Sequence, residues 1–222
     1  MTGNALGIFA KEPVPGRVKT RLCPPLSLEQ AAELYDTCLQ ETVAAMAAAP
    51  AERIIFYDGD AAYFTTTFPG LRLIRQSDGD LGRRMDRALH QLLTEGNRAA
   101  VLIGSDSPDL PLSLVTDAFA TLADYDLAVA PARDGGYVLI GESRHTPELF
   151  QDMPWSNDNL WSKTRHRAEQ LDLAYRELPP WEDLDDPASL ARLRHRAPQS
   201  PTARLARRFL NNQARPGSNP MV

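Results

Sequence analysis

Short apolar runs recur along this 222-residue chain, at intervals wide enough to hold a helix between them. "ALGIF" (5–9) and "AAVLIG" (99–104) contain no polar residue at all. A strand that is apolar on both sides needs cover on both faces, and parallel sheets flanked by helices provide it. "ERIIFYD" (52–58), "LRLIRQ" (71–76), "DLAVAPA" (126–132), "YVLIGES" (137–143) and "LAYREL" (173–178) complete the strand set.

Helical spacing fills the intervals. "SLEQ" is a capping box that opens a helix at Ser27, with Leu28, Ala32, Tyr35, Leu39, Val43 and Met46 following at helical intervals. Leu81, Met85, Leu89 and Leu92 mark another. Ser113 starts the next, with Leu114, Ala118 and Leu122 on one face, and a further helix is read around 159–172. Asp186-Pro187 gives an N-cap and a first-turn proline, opening a helix through Leu190 and Leu193. The connection at 132–137 is too short for a parallel crossover, so its flanking strands pair antiparallel. The expected fold is one α/β domain over residues 1–200: three layers, α/β/α, around a mostly parallel mixed sheet.

Charge and cysteine content narrow the function. Net charge is −5, which disfavours nucleic acid as a partner. Cys23 and Cys38 are too few for a disulfide framework or a metal cluster, and read as reduced and structural. No apolar run has the length of a membrane span and no signal-peptide core precedes the first strand, so the default location is the cytoplasm. From Leu190 onward there are seven arginines and no acid. Residues 201–222 are read as a basic, partly flexible tail, which either packs on the acidic body or helps to hold an anionic substrate or partner.

In open α/β sheets, ligands lie beyond the carboxyl ends of the strands, and the unusual residues fall there. "FAKEPVPGRVKTRL" (9–22) follows the first strand. Its prolines stiffen the loop, Gly16 permits close backbone approach, and Lys11, Arg17, Lys19 and Arg21 offer charge to a polyphosphate. Lys19 and Arg21 are two apart, so in an extended segment both face one side. The loop lacks the ending of a P-loop. "QSDGDLGRRM" (76–85) places Gly79, Asp80 and Gly82 before a helix, where backbone N–H groups could meet a base or phosphate. With Ala10 these residues form the candidate nucleotide- and phosphate-binding set.

"GSDSPDLP" (104–111) sets Asp106 directly after an apolar strand, where it could hold Mg2+ or Mn2+ or simply cap a turn. "EDLDDP" (182–187) offers Asp185 as a second metal ligand, with Asp183 as its competitor and Asp186 as a helix cap. In "RDGGY" (133–137), Asp134, Gly135 and Gly136 are candidate acceptor contacts, with a plain hairpin turn as the alternative. "PWSNDNLW" (154–161) could line an acceptor pocket through Trp155, or pack Trp155 and Trp161 as core.

The ordered set "FAKEPVPGRVKTRL", "QSDGDLGRRM", "IGSDSPDLP", "RDGGYVLIG" and "DLDDPASL" resembles the nucleotide-diphospho-sugar transferase superfamily, with its GT-A-like fold. Within it the chain is similar to a bacterial subgroup, DUF2064, described as arsenosugar-biosynthesis-associated glycosyltransferases. Molybdenum-cofactor and 2-phospholactate guanylyltransferases are more distant likenesses. The resemblance covers about residues 5–195. It implies that Lys11, Lys19 and Arg21 serve donor phosphates, that Asp106 and Asp185 bind Mg2+ or Mn2+, and that Asp106 and Lys19 act in catalysis. Two features depart from those relatives. The glycine-rich loop of nucleotidyltransferases is replaced by "AKEPVPGRVKTR", and the aspartate pair of glycosyltransferases is present only as "SDS".

The resulting expectation is a metal-dependent transferase using a nucleotide or nucleotide-sugar donor and a small-molecule acceptor. Glycosyl transfer is the first reading and NTP-dependent nucleotidyl transfer the second. A non-catalytic nucleotide-binding protein is the third.

Overall fold

The structure is a computed structural model and describes residues 3–153, 155 and 159–213. Seven strands form one sheet in the order β3-β2-β1-β4-β6-β5-β7. They are β1 (Asn4–Lys11), β2 (Glu52–Asp58), β3 (Arg72–Arg75), β4 (Ala99–Gly104), β5 (Leu127–Pro131), β6 (Tyr137–Glu142) and β7 (Tyr175–Glu177). β1 lies parallel to both β2 and β4, and β2 to β3. β6 runs antiparallel between β4 and β5, as the short 132–136 connection requires, and β7 is parallel to β5. This is the mixed α/β sheet expected, with all seven strands read from the sequence present.

The helices are α1 (Leu28–Ala45), α2 (Ala61–Thr67), α3 (Leu81–Thr94), α4 (Leu112–Thr121), α5 (Leu160–Gln170), α6 (Pro187–Arg196) and α7 (Pro201–Gln213). The Ser27 box forms: the Ser27 side chain accepts from Gln30 N, and the Gln30 side chain accepts from Ser27 N. The helix read from Ser113 begins one residue earlier, because Pro111 sits in the extended N-cap position and its carbonyl accepts from Leu114 N.

Strand alternation splits the core. On one face Leu6, Ile8 and Ala10 of β1 join Val101 and Ile103 of β4, beneath Leu39 of α1 and Val115 of α4. On the other, Ala5, Ala100 and Leu102 join Ile140 of β6 beneath Leu89 of α3 and Ala168 of α5. Gly7 is needed where these sides close, since a Cβ there would lie 2.5 Å from Leu102 and 2.9 Å from Phe56.

A third cluster holds the ends of the chain together. Leu22 and Leu26 from the loop after β1 meet Leu34 and Cys38 of α1, Leu184 from the acidic turn, Leu190 and Leu193 of α6, and Leu205 and Ala206 of α7. The stretch read as a tail is thus helical to residue 213, while 214–222 lie outside the described residues. Its signal was present: Ser200-Pro201 repeats the cap-proline pattern of Asp186-Pro187, and the Ser200 side chain accepts from Ala203 N. Two of the arginines in α6 serve the body. Arg192 and Arg196 both pair with buried Glu182, and Arg196 also pairs with Asp109. Leu184 is only 2% exposed and ties the acidic turn to this cluster. Leu184→Ala is expected to lower stability by about 2–5 kcal/mol in urea denaturation. A loss below about 1 kcal/mol would mean that hydrogen bonds alone hold the turn.

Away from the strand ends, buried Glu142 at the end of β6 meets His145, whose other ring nitrogen reaches Asp86 of α3; both contacts are 3.0 Å. Burial pushes His145 down, but Glu142 and Asp86 outweigh it and hold the imidazole above its usual value. Burial raises Glu142. Both groups favour the protonated form on folding, so the stability they give is full at low pH and lost as pH rises through the raised His145 value. The melting-temperature gap between the parent and His145→Asn should therefore be larger near pH ~6 than near pH ~9. A gap that widens with pH would reverse this assignment.

Among the described residues, no helix is long and apolar enough to cross a membrane. Both cysteines are free, and buried Cys38 donates to Ser105 O.

Candidate active site

Strand order reverses between β1 and β4, because the chain leaves β1 toward β2 and β3 and then returns to β1's other side. A cleft of about 870 Å³ opens at the carboxyl ends there. Its lining includes Ala10, Lys11, Arg17, Lys19, Arg21, Gly79, Asp80, Asp106, Asp134, Gly136, Asp183 and Asp185, so most of the residues singled out in sequence do converge.

The basic loop is anchored at both ends. Glu12 N donates to Asp58 O, Lys11 N to the Tyr35 hydroxyl, and Val18 and Leu22 are buried in the core. Lys19 has φ 48° and ψ 33°, a left-handed conformation that a lysine seldom adopts, and its carbonyl accepts from Leu22 N to start a 3-10 turn over Thr20–Leu22. The segment is therefore turned where an extended one was expected, because Leu22 must reach the core. The turn still sends Lys19 and Arg21 to one target. Lys19 Nζ lies 3.0 Å from Asp106 and 3.7 Å from Asp185, and Arg21 bonds Asp185 at 2.5 Å.

These cations divide into two kinds. The Lys19 side chain is only 5% exposed. Burial works to discharge it, and the Asp106 and Asp185 carboxylates prevail, holding the ammonium above its usual value. Lys11 and Arg17 are exposed, and among the described residues their side chains carry no hydrogen bond or ion pair.

The acids come from two turns far apart in the chain, one after β4 and one before α6. Asp106 O accepts from Leu184 N at 2.8 Å, which docks the acidic turn against the end of β4. Asp183 accepts from Ser107 Oγ at 2.6 Å, and burial, then the neighbouring Asp106 charge, push it up to about 7. Asp186 is the N-cap of α6, in a capping box with Ser189. Asp185 reaches Lys19 and Arg21, while Asp183 is spent on Ser107.

Sequence reading passed over the far end of the cleft. Gln76 Nε2 donates to the carbonyls of Ala10 and Phe56, and Arg84 donates to Asp58, Gln76 and Gly79 O. Asp58 stands at a strand end like the other site residues, and Gln76 and Arg84 lie inside a stretch noted only for its glycines and acid. The strand-end rule applied to β2 would have found Asp58.

Gly16, Gly82, Gly135 and Trp155 are not in the cleft lining. Gly16 has φ 79° in an open turn, where an added Cβ would come no closer than 3.9 Å to Leu28. A Cβ on Gly82 would lie 2.1 Å from the Trp155 indole, so this glycine makes room for a ring. Trp155 stacks on Phe150 and borders a separate recess of about 530 Å³ with Arg83 and Arg87. Gly135 O accepts from Trp161 N, and Trp161 is core, as one of its two readings held. Pro154 and residues 156–158 lie outside the described residues. Asp80 caps α3 through Arg83 N, and Asp134 bonds Gly136 N within its own hairpin.

Asp106 and Asp185 supply hard oxygen donors facing one cation position, now held by the Lys19 ammonium. Among the described residues no cluster of three or more His, Cys, Asp or Glu forms a ready cage. Two carboxylates fit Mg2+ or Mn2+ when substrate phosphates complete the shell.

The arrangement is a doubly covered sheet with a cation-rich loop and two sources of acid at its switch point. The model of the family described as "Uncharacterized protein conserved in bacteria (DUF2064)" matches residues 41–157. The chain belongs to that family, and its fold is that of the GT-A-like nucleotide-diphospho-sugar transferase superfamily. It is similar to a candidate nucleotide-diphospho-sugar transferase from Desulfovibrio desulfuricans G20, with 33% identity, TM-score 0.88, and 96% of each chain covered. CMP:2-keto-3-deoxy-manno-octonic acid synthetase, solved with CTP, shares the fold at 15% identity and TM-score 0.56, covering 89% of this chain and 99% of that one. 4-Diphosphocytidyl-2C-methyl-D-erythritol synthase does so at 10% identity and TM-score 0.58, covering 88% and 98%. No curated protein matches the chain.

Proposed function

We propose that this protein is a transferase that takes a nucleotide donor into the switch-point cleft and passes a glycosyl group to a small acceptor. The observation that carries the reading is the convergence of Lys11, Arg17, Lys19 and Arg21 from one loop with Asp106 and Asp185 from two others. The name of the relative at 33% identity supports a nucleotide-sugar donor.

Lys11 and Arg17 bind and orient the donor phosphates, since they are free to do so. Arg21 and Lys19 fix Asp185 and Asp106 in place. Asp106 and Asp185 are the residues that would hold Mg2+ or Mn2+, which as a Lewis acid neutralises charge building on the leaving diphosphate. Asp134 and Gly136 border the side of the cleft left for the acceptor.

Nucleotidyl transfer with release of pyrophosphate is the second reading. The charge of the loop favours it, because Lys11 and Arg17, joined by Lys19 once it leaves the acids, match a triphosphate better than a diphosphate. A donor screen in Mn2+ separates the two. Release of nucleoside diphosphate from a nucleotide sugar is expected. Release of pyrophosphate from a nucleoside triphosphate would establish the second reading. Tight nucleotide binding with neither product, on a broad set of acceptors, would leave a non-catalytic nucleotide-binding protein.

A further inference from the structure

We infer that Lys19 is a built-in stand-in for the divalent cation: its ammonium holds Asp106 and Asp185 until donor phosphates draw it away, so the cation enters with the donor and not before it. The inference rests on the nucleotide-donor reading for its second half and on geometry alone for its first.

Two carboxylates converging on one position repel each other unless a cation sits between them. Lys19 Nζ sits there, 3.0 Å from one and 3.7 Å from the other. The placement is built. A left-handed backbone at a lysine costs conformational energy, and here it turns the side chain away from solvent until 5% is exposed. Lys11 and Arg17, on the same loop and in the same cleft, remain exposed and, among the described residues, unpaired. The loop thus spends two cations, Lys19 and Arg21, on the acids and leaves two for an incoming anion.

A divalent ion arriving alone must expel the ammonium into a cleft whose other acids are already bonded, Asp58 to Arg84, Asp80 to Arg83 N, Asp134 to Gly136 N and Asp183 to Ser107. An ion arriving with a diphosphate or triphosphate brings phosphate oxygens that accept the ammonium, and those oxygens also complete the ion's shell. Metal and donor therefore raise each other's affinity by one shared factor. Lys19 selects a donor that carries its own anion and excludes a nucleoside or a free sugar.

Mn2+ binding to the protein without nucleotide, read from the loss of the free-ion electron paramagnetic resonance signal, tests the first half. Lys19→Gln is expected to bind Mn2+ alone at least about tenfold tighter than the parent. The Lys19→Gln/Asp106→Asn double variant should lose that gain. Parent protein that binds Mn2+ alone as tightly as Lys19→Gln overturns the inference. Thermal melts show whether Lys19→Gln folds.

Calorimetry on the parent keeps the test decisive if it does not. Each ribonucleoside diphosphate in turn should bind tighter with Mn2+ than with EDTA, while Mn2+ alone gives no binding heat. Tight binding of Mn2+ alone, or donor affinity indifferent to Mn2+, again overturns it. A protein that binds no nucleotide in either condition fails the nucleotide-donor reading and the second half, and Mn2+ binding to the parent alone still decides the first.

Discussion

Turnover of Asp106→Asn is expected to fall by at least about a hundredfold, because a cation stabilising leaving-group charge supplies several kcal/mol and each 1.4 kcal/mol is a factor of ten. Asparagine keeps the size and one oxygen but removes the charge. The backbone carbonyl at this position, which accepts from Leu184 N at 2.8 Å, is untouched, so the acidic turn stays docked. The substitution has a second effect that must be separated from the first. The Lys19 side chain is 5% exposed and would lose its nearest partner, leaving only Asp185 at 3.7 Å. Removing one member of a buried pair destabilises a protein by up to about 3–5 kcal/mol, and less here because Asp106 itself is 38% exposed. The melting temperature should therefore drop by a few degrees while the far-ultraviolet circular dichroism at assay temperature stays that of the parent. A folded variant that turns over within about tenfold of the parent would remove Asp106 from the chemistry and leave it as Lys19's structural counter-ion.

How much of this was legible in sequence depended on whether the signal was local. All seven strands were, because apolar runs such as 99–104 announce burial on both faces by themselves. The cap at Ser27 and the cap-proline pair at Asp186-Pro187 were legible for the same reason: the groups that close each turn lie within three residues of each other. The convergence of Lys19 and Arg21 on Asp185 rests on contacts more than 160 residues apart, and only the strand-end rule brought the right loops together. The geometry within those loops was not legible. An alternating pair looked extended, but Leu22 is fully buried, and burying it curls the segment into a 3-10 turn with Lys19 left-handed. Glycine misled in a second way. Gly82 looked like a place for a phosphate, and its hydrogen makes room for the Trp155 ring instead. The α7 segment was discounted because its arginines dominate its composition, although Leu205, Ala206, Phe209 and Leu210 already sat on one helical face. Gln76 was missed because its role is fixed by carbonyls of β1 and β2, which no local pattern can display.

Lys11→Ala/Arg17→Ala should weaken a nucleoside diphosphate or triphosphate by about a hundredfold at low salt and leave the bare nucleoside unchanged. Each charge-assisted contact is worth about 1.5 kcal/mol at the lower end of its range, which suits exposed side chains. This pair separates phosphate binding from scaffolding better than Lys19 and Arg21 do. Removing those two would also release Asp185 from both of its cationic partners and leave Asp106 without Lys19, so a loss of affinity would not say which role failed. Among the described residues Lys11 and Arg17 have no partner to lose, and both line the cleft. Stability should stay within about 0.5 kcal/mol of the parent, as for surface substitutions away from packed features. The loss should shrink as salt rises, since the Debye length falls from about 10 Å at 0.1 M to about 3 Å at 1 M and exposed contacts are screened first. The pattern across ligands carries the argument. If the double variant loses a triphosphate much more than a diphosphate, the outer cations grip a third phosphate and the balance moves toward nucleotidyl transfer. Equal losses for both place them on the first two phosphates, as a nucleotide-sugar donor requires. Unchanged affinity for every phosphorylated ligand would reduce the two side chains to a solvated rim, and of the loop cations only buried Lys19 and exposed Arg21 would then be left to hold the donor.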